Sequence, residues 1–177
     1  MEEIAATAEV GVGTLYRHFG SKAALIDALF EQRIDDLLRR VAEHADKPTA
    51  WEGLCAVMRF FVRSQTQERG VFEVMLARVD TAADVLRSRV EPVLSSLIAR
   101  AKSEGAIRSD FAATDVPLLT ATIARIARVP GHGPGLAERH LELLLKGLGP
   151  TGDTSTVPPP LADDDFGHWL AAGRDIL

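Results

Sequence analysis

The sequence predicts an all-α protein, an N-terminal helix-turn-helix followed by a bundle of longer helices. Three observations lead there. Apolar residues recur at three- and four-residue spacing through nearly all of the 177 residues, and no segment alternates strictly as a half-buried strand would. Glycine, proline and Ser/Thr capping signals cut that pattern into separate helices. Near the N-terminus, two helices of about seven residues are joined by a glycine-bearing turn, a pairing that suits a helix-turn-helix.

Residues 2–8 form the first short helix, with Ile4 and Ala8 on one face. Glu9-Val10-Gly11-Val12 is a turn in which Gly11 is placed to take the positive φ of a tight corner. The second helix covers 13–19. Gly20 ends it, and Ser21 stands where a cap for the next helix belongs. That third helix runs from about Lys22 to Ala45, with Leu25, Leu29, Leu37, Leu38 and Val41 as its apolar face, and Pro48 breaks it. Thr49 with Glu52 is a capping box that opens a helix reaching Gly70. Trp51, Leu54, Val57, Met58, Phe60, Phe61 and Val62 make this helix apolar around much of its circumference, so it belongs at the centre of the bundle.

Val71–Ala77 reads as a further short helix. Thr81 with Asp84 repeats the capping signature before a long helix through Leu86, Val90, Leu94, Leu97 and Ile98, stopped by Gly105. Pro92 either kinks that helix near Ser88 or marks its true start. Helices over 115–129 (Val116, Leu119, Ile123, Ile126) and 136–148 (Leu141, Leu143, Leu144, Leu145, Leu148) follow, separated by the loop PGHGPG. Pro117 is tolerated in the first turn. From Pro150 the chain changes to TGDTSTVPPP and then to an acidic, aromatic tail. Three regions result: 1–45, the helix-turn-helix region with its connecting helix; 46–150, a helical domain; and 151–177, a flexible acidic tail, where Phe166, Trp169, Leu170 and Ile176 either dock as an amphipathic segment or stay disordered.

Composition narrows the function. The chain is 46% hydrophobic and 25% charged, as a folded soluble protein is. No run reaches the ~18 apolar residues of a membrane span, so no membrane partner is expected. No leader opens the chain, and the single cysteine, Cys55, reads as a packed residue in a reducing compartment, so a cytoplasmic location is expected. The net charge is −5, an unpromising sign for a nucleic-acid partner. The tail alone carries five Asp against one Arg, and the first 150 residues hold 19 Lys+Arg against 20 Asp+Glu, so local patches decide the partner. His18, His44, His132, His140 and His168 show no metal-ligand spacing, and no nucleophile elbow, phosphate loop or carboxylate pair stands out. No metal, no cofactor and no enzymatic activity are therefore expected.

The stretch VGVGTLYRHFGSK (10–22) carries the functional signal. A dinucleotide-binding loop fails, because Tyr16 occupies the third glycine position and no strand precedes it. On a helix, Val12, Leu15 and Phe19 share one face and can pack on Ile4 and Ala8. Gly13, Thr14, Tyr16 and Arg17 then occupy the outer arc, with His18 on its edge. Such a face meets the needs of a DNA major groove: short donors and acceptors, a bare Gly13 for close approach, and Tyr and Lys side chains reaching phosphates. Lys22 lies beside the N–H groups that open the next helix, which also attract phosphate. Spacing alone leaves an ordinary helical corner equally open.

The run MEEIAATAEVGVGTLYRHFGSKAALIDALF (1–30) resembles the helix-turn-helix of TetR-family transcriptional repressors, most specifically in Gly13-Thr14-Leu15-Tyr16, His18-Phe19 and Ser21-Lys22. RAKSEGAIRSD (100–110) and RHLELLLKGLGP (139–150) resemble that family's regulatory domain more weakly. The resemblance implies a TetR-like C-terminal bundle and a homodimer formed by the helices near 115–129 and 136–148. It implies operator DNA as partner, with Val12, Gly13, Thr14, Tyr16 and His18 facing the bases and backbone and Lys22 holding phosphate; Arg17 stands at a variable position.

It also implies an unknown small-molecule effector and a ligand-responsive repressor that releases DNA on binding it. Met58, Phe61, Phe72 and Met75 are the candidates for lining an effector cavity, with plain core packing as their alternative role. Family members carry a helix ahead of these two. The expectation is therefore an N-terminal unit lacking its first helix, with Leu25 and Leu29 partly uncovered and residues 1–20 loosely held. The competing functional reading is a helical small-molecule-binding or dimerisation protein with impaired or no DNA binding.

Overall fold

The computed structural model describes residues 1–67, 84, 86–127, 134–150, 158, 160 and 162. Every regular element among them is helical: α1 (Glu2–Thr7), α2 (Val12–Phe19), α3 (Lys22–Ala45), α4 (Ala50–Gln67), a π-helical turn (Leu86–Val90), α5 (Glu91–Ser103), α6 (Asp115–Ile126) and α7 (Pro134–Gly147). The expected helix at 71–77, Thr81 of the second capping signature, residues 130–133 of the PGHGPG loop and nearly all of the tail lie outside the described residues. The chain divides into two units, Met1–Asp36 and Leu37–Leu177, so α3 begins in one and ends in the other.

In the first unit α1 packs against α2. The residue α1 buries is Ala5, whereas Ala8, expected on the packed face, is exposed. The reason is where the helix stops: Ala8 is already the C-terminal cap, and the chain reverses as the Val10 N–H donates to the Ala5 carbonyl at 3.0 Å. The corner also differs from expectation at Gly11. Glu9 takes the left-handed conformation, φ 54°, while Gly11 has an extended φ of −69° and serves as the N-cap of α2.

Along α3 the buried stripe runs through Phe30, Ile34, Leu37, Leu38, Val41 and Ala45, all buried or half-buried at helical spacing. Leu25 is 6% exposed, so the expectation that it would be uncovered does not hold. Leu29 is 42% exposed, because it sits about 100° around the helix from Phe30.

The second unit is built around α4, which packs against α5, α6 and α7, while α6 also packs on α7. Leu54, Cys55, Val57, Met58 and Val62 of α4 are buried with Leu94, Leu97 and Ile98 of α5, Val116 and Ile123 of α6, and Leu141 and Leu145 of α7. Burying a large apolar side chain stabilises by ~1.5–3 kcal/mol, which is why the helix with the broad apolar face takes the centre. Gly53 lets the end of α3 pass close by: a Cβ there would lie 2.9 Å from the Ala45 carbonyl oxygen.

Helix ends resolve two open points. Pro92 is the second residue of α5, and the π-helical turn Leu86–Val90, which contains Ser88, runs directly into it, so the proline stands where the helix changes type, at the position expected for a kink. At α4, Thr49 Oγ1 accepts the Glu52 N–H at 3.2 Å as expected. The Ala50 N–H donates instead to the Glu104 carboxylate at 3.0 Å, from the far end of α5. The segment 100–110 then turns at Gly105, φ 64°, and is tied down by the Arg108 N–H donating to the Leu148 carbonyl at 3.1 Å. The Arg108 guanidinium grips Asp110 through two hydrogen bonds and holds that carboxyl below its usual range.

Candidate nucleic-acid interface

The candidate surface lies in the first unit and is built on α2, eight residues long. Its start is set by Gly11, whose carbonyl accepts the Thr14 N–H at 2.9 Å, and its end by Gly20, which adopts φ 69° and donates to the Tyr16 carbonyl at 2.8 Å. Ser21 then caps α3 as expected, its Oγ accepting the Ala24 N–H at 3.1 Å. By helix geometry the N–H groups of Lys22 and Ala23 have no intrahelical acceptor, and the Lys22 side chain beside them is exposed.

Val12, Leu15 and Phe19 are half-buried and form the inner face of α2. Gly13, Thr14, Tyr16, Arg17 and His18 are all exposed, and Tyr16 shows 50% of its surface. At ~100° per residue they span one outward arc, with Val12 at its border next to Tyr16. The His18 ring stands 6.4 Å from the Phe19 ring, tilted by 53°. No Cβ contact restrains Gly13, so the backbone there is open to a close neighbour.

From Val10 to Ile26 there is no acidic residue, while Arg17 and Lys22 are cationic. This local window has the sign that a phosphate backbone attracts, despite the charge of the whole chain. The window is a signal the overall charge conceals.

The other candidate residues lie in the second unit. Met58 is fully buried within the core cluster, Phe61 packs half-buried against it, and Phe72 and Met75 lie outside the described residues. On the helices expected to pair, Leu141 and Leu145 are buried, whereas Leu143 is 53% exposed and Leu118, Leu119, Ile126 and Leu144 are half-buried. Arg39 and Arg40 are exposed, and Arg39 pairs with Glu43 at 2.9 Å.

Comparison with known proteins identifies the family. Residues 47–150 match the family described as "Transcriptional regulator SbtR-like, C-terminal domain", and residues 1–29 match "Bacterial regulatory proteins, tetR family". The chain belongs to the TetR family of bacterial transcriptional regulators. Among solved structures, the TetR transcriptional regulator SCO0520 from Streptomyces coelicolor is 34% identical, over 85% of this chain and 87% of that one, with a TM-score of 0.62. The ketosteroid transcriptional regulator KstR2 of Mycobacterium tuberculosis shares the fold at 19% identity, with 82% of each chain covered and a TM-score of 0.60. The HTH-type transcriptional regulator SAR0097 of Staphylococcus aureus (strain MRSA252) is 39% identical over 51 residues, a stretch spanning 29% of this chain and 27% of that protein.

TetR regulators are DNA-binding transcription factors that form dimers, and this TetR-family protein acts in transcription rather than as an enzyme. No helix among its described residues is long and apolar enough to cross a membrane.

Proposed function

We propose that this TetR-family chain is a ligand-responsive repressor that reads operator DNA with the outward arc of α2. The observation that carries the reading is the exposure of Gly13, Thr14, Tyr16, Arg17 and His18 together, within a stretch free of acidic residues. Val12, Gly13 and Thr14 approach base edges, and Tyr16, His18 and Lys22 hold the backbone. Lys22 is aided there by the N–H groups that begin α3.

Dimerisation through α6 and α7 sets two recognition helices about 34 Å apart, one turn of duplex. The exposed Leu143 on α7 and the half-buried Leu118 and Leu119 on α6 supply apolar surface for that pairing. An apolar effector entering the bundle near Met58 and Phe61 acts on the DNA-binding unit through α3, which belongs to both units. Release of DNA requires the effector to prefer one state by ~1–3 kcal/mol.

Replacing Lys22 with alanine weakens binding to every duplex and lowers the slope of log affinity against log salt by about one. Fluorescence anisotropy over a salt series measures both, and equal slopes for the two proteins would remove Lys22 from the phosphate contacts. Exposed Val10 and Leu29 favour a second reading, a bundle that pairs or binds small molecules without engaging DNA. A complete lack of duplex retention at low salt would select that reading.

A further inference from the structure

An open pocket lies on the outside of the bundle, away from the apolar interior. Arg40 and His44 near the end of α3 face Ala56, Arg59, Phe60, Arg63 and Ser64 of α4 across an open pocket of about 370 Å³. The positions 56, 59, 60, 63 and 64 fall on one side of α4, opposite in character to the buried side that carries Leu54, Val57 and Met58. We propose that this pocket binds a small aromatic monocarboxylate, its ring laid against Phe60 and His44 and its carboxylate held by Arg40 and Arg63.

The aromatic wall is already in place. The His44 and Phe60 rings stand 5.3 Å apart, and the Arg40 guanidinium lies 5.8 Å from the centre of the Phe60 ring. A flat ring of about six carbons fits a pocket of this size, since small-molecule sites begin at roughly 300 Å³.

The charges are unequally committed. Arg59 is held by Glu142 of α7 through hydrogen bonds of 2.7 and 3.0 Å, which keeps its guanidinium as a fixed wall. Among the described residues Arg63 has a looser contact, with Glu138 at 3.4 Å. Among the described residues no carboxylate pairs with Arg40, and neighbouring Glu43 is engaged by Arg39. A guanidinium matches a carboxylate in a bidentate geometry that a point charge does not. The surroundings also disfavour an added cation: burial first, then Lys47 and Arg40 against the opposing Glu43, lowers the His44 pKa.

The proposal does not rest on DNA binding, and its test reads the ligand directly. Benzoate is titrated into the full isotope-labelled chain and resonance shifts are followed, with benzamide as the neutral isostere. The expected result is saturable binding in the millimolar range or tighter, with shifts centred on Arg40, His44 and Phe60. Benzamide and the exposed-site variant Arg40→Gln each weaken it by about tenfold or more, the loss expected for a charge-assisted pair. Circular dichroism confirms that the variant is folded. Absence of saturation, equal affinity for benzamide, an unchanged Arg40→Gln variant, or shifts centred on Met58 would each overturn the proposal.

Discussion

Leu54→Ala is expected to lower the unfolding free energy by about 2–5 kcal/mol, the range for emptying a close-packed core position. Leu54 has no exposed surface and lies on α4, which is packed by α5, α6 and α7 at once. Such a site cannot collapse around the missing methyls without shifting a helix that three others hold. The chemical-denaturation midpoint falls while the slope of the transition stays the same. A loss below about 1 kcal/mol would mean that α4 is not the central helix.

Gly53→Val is expected to destabilise by about 3 kcal/mol, at the upper end of ordinary overpacking. The first added carbon would stand 2.9 Å from the Ala45 carbonyl oxygen and 3.1 Å from a Leu97 methyl. The leucine can rotate, but the carbonyl belongs to the backbone at the end of α3 and cannot yield alone. Valine gains in helix propensity over glycine by only a few tenths of a kcal/mol, too little to offset the clash. Thermal unfolding of the variant measures the net effect. An unchanged midpoint would show that α3 and α4 do not meet at this carbonyl.

Much of the fold was legible because helices announce themselves locally. Gly20, Ser21, Pro48, Thr49 and Gly105 mark ends that the coordinates place within a few residues of expectation. What escaped was settled by tertiary neighbours. Glu104 caps α4 from a different helix, and no local motif encodes that partner. Phe30 and Ile34 proved to be the buried side of α3 because the stripe is fixed by the whole helix, whereas Leu29 matched only the spacing from Leu25, four residues earlier. At the corner, glycine was the obvious residue for a positive φ, yet Glu9 takes it, two residues after α1 ends.

The outward arc of α2 was readable from VGVGTLYRHFGSK, because eight residues of helix suffice to separate Leu15 and Phe19 from Thr14 and Tyr16. The pocket between α3 and α4 was not. Arg40, His44, Arg59 and Arg63 each look like solvated charge on their own helix, and only their juxtaposition makes a pocket.

Operator recognition depends most on α2 entering a duplex. The direct measurement selects duplexes from a randomised pool with the full chain, then titrates the winner into labelled protein and maps the amide shifts. Shifts centred on Gly13, Thr14, Tyr16 and Lys22, with a common sequence among the winners, are predicted. Failure to enrich any sequence, or shifts that leave those four residues untouched, would contradict it.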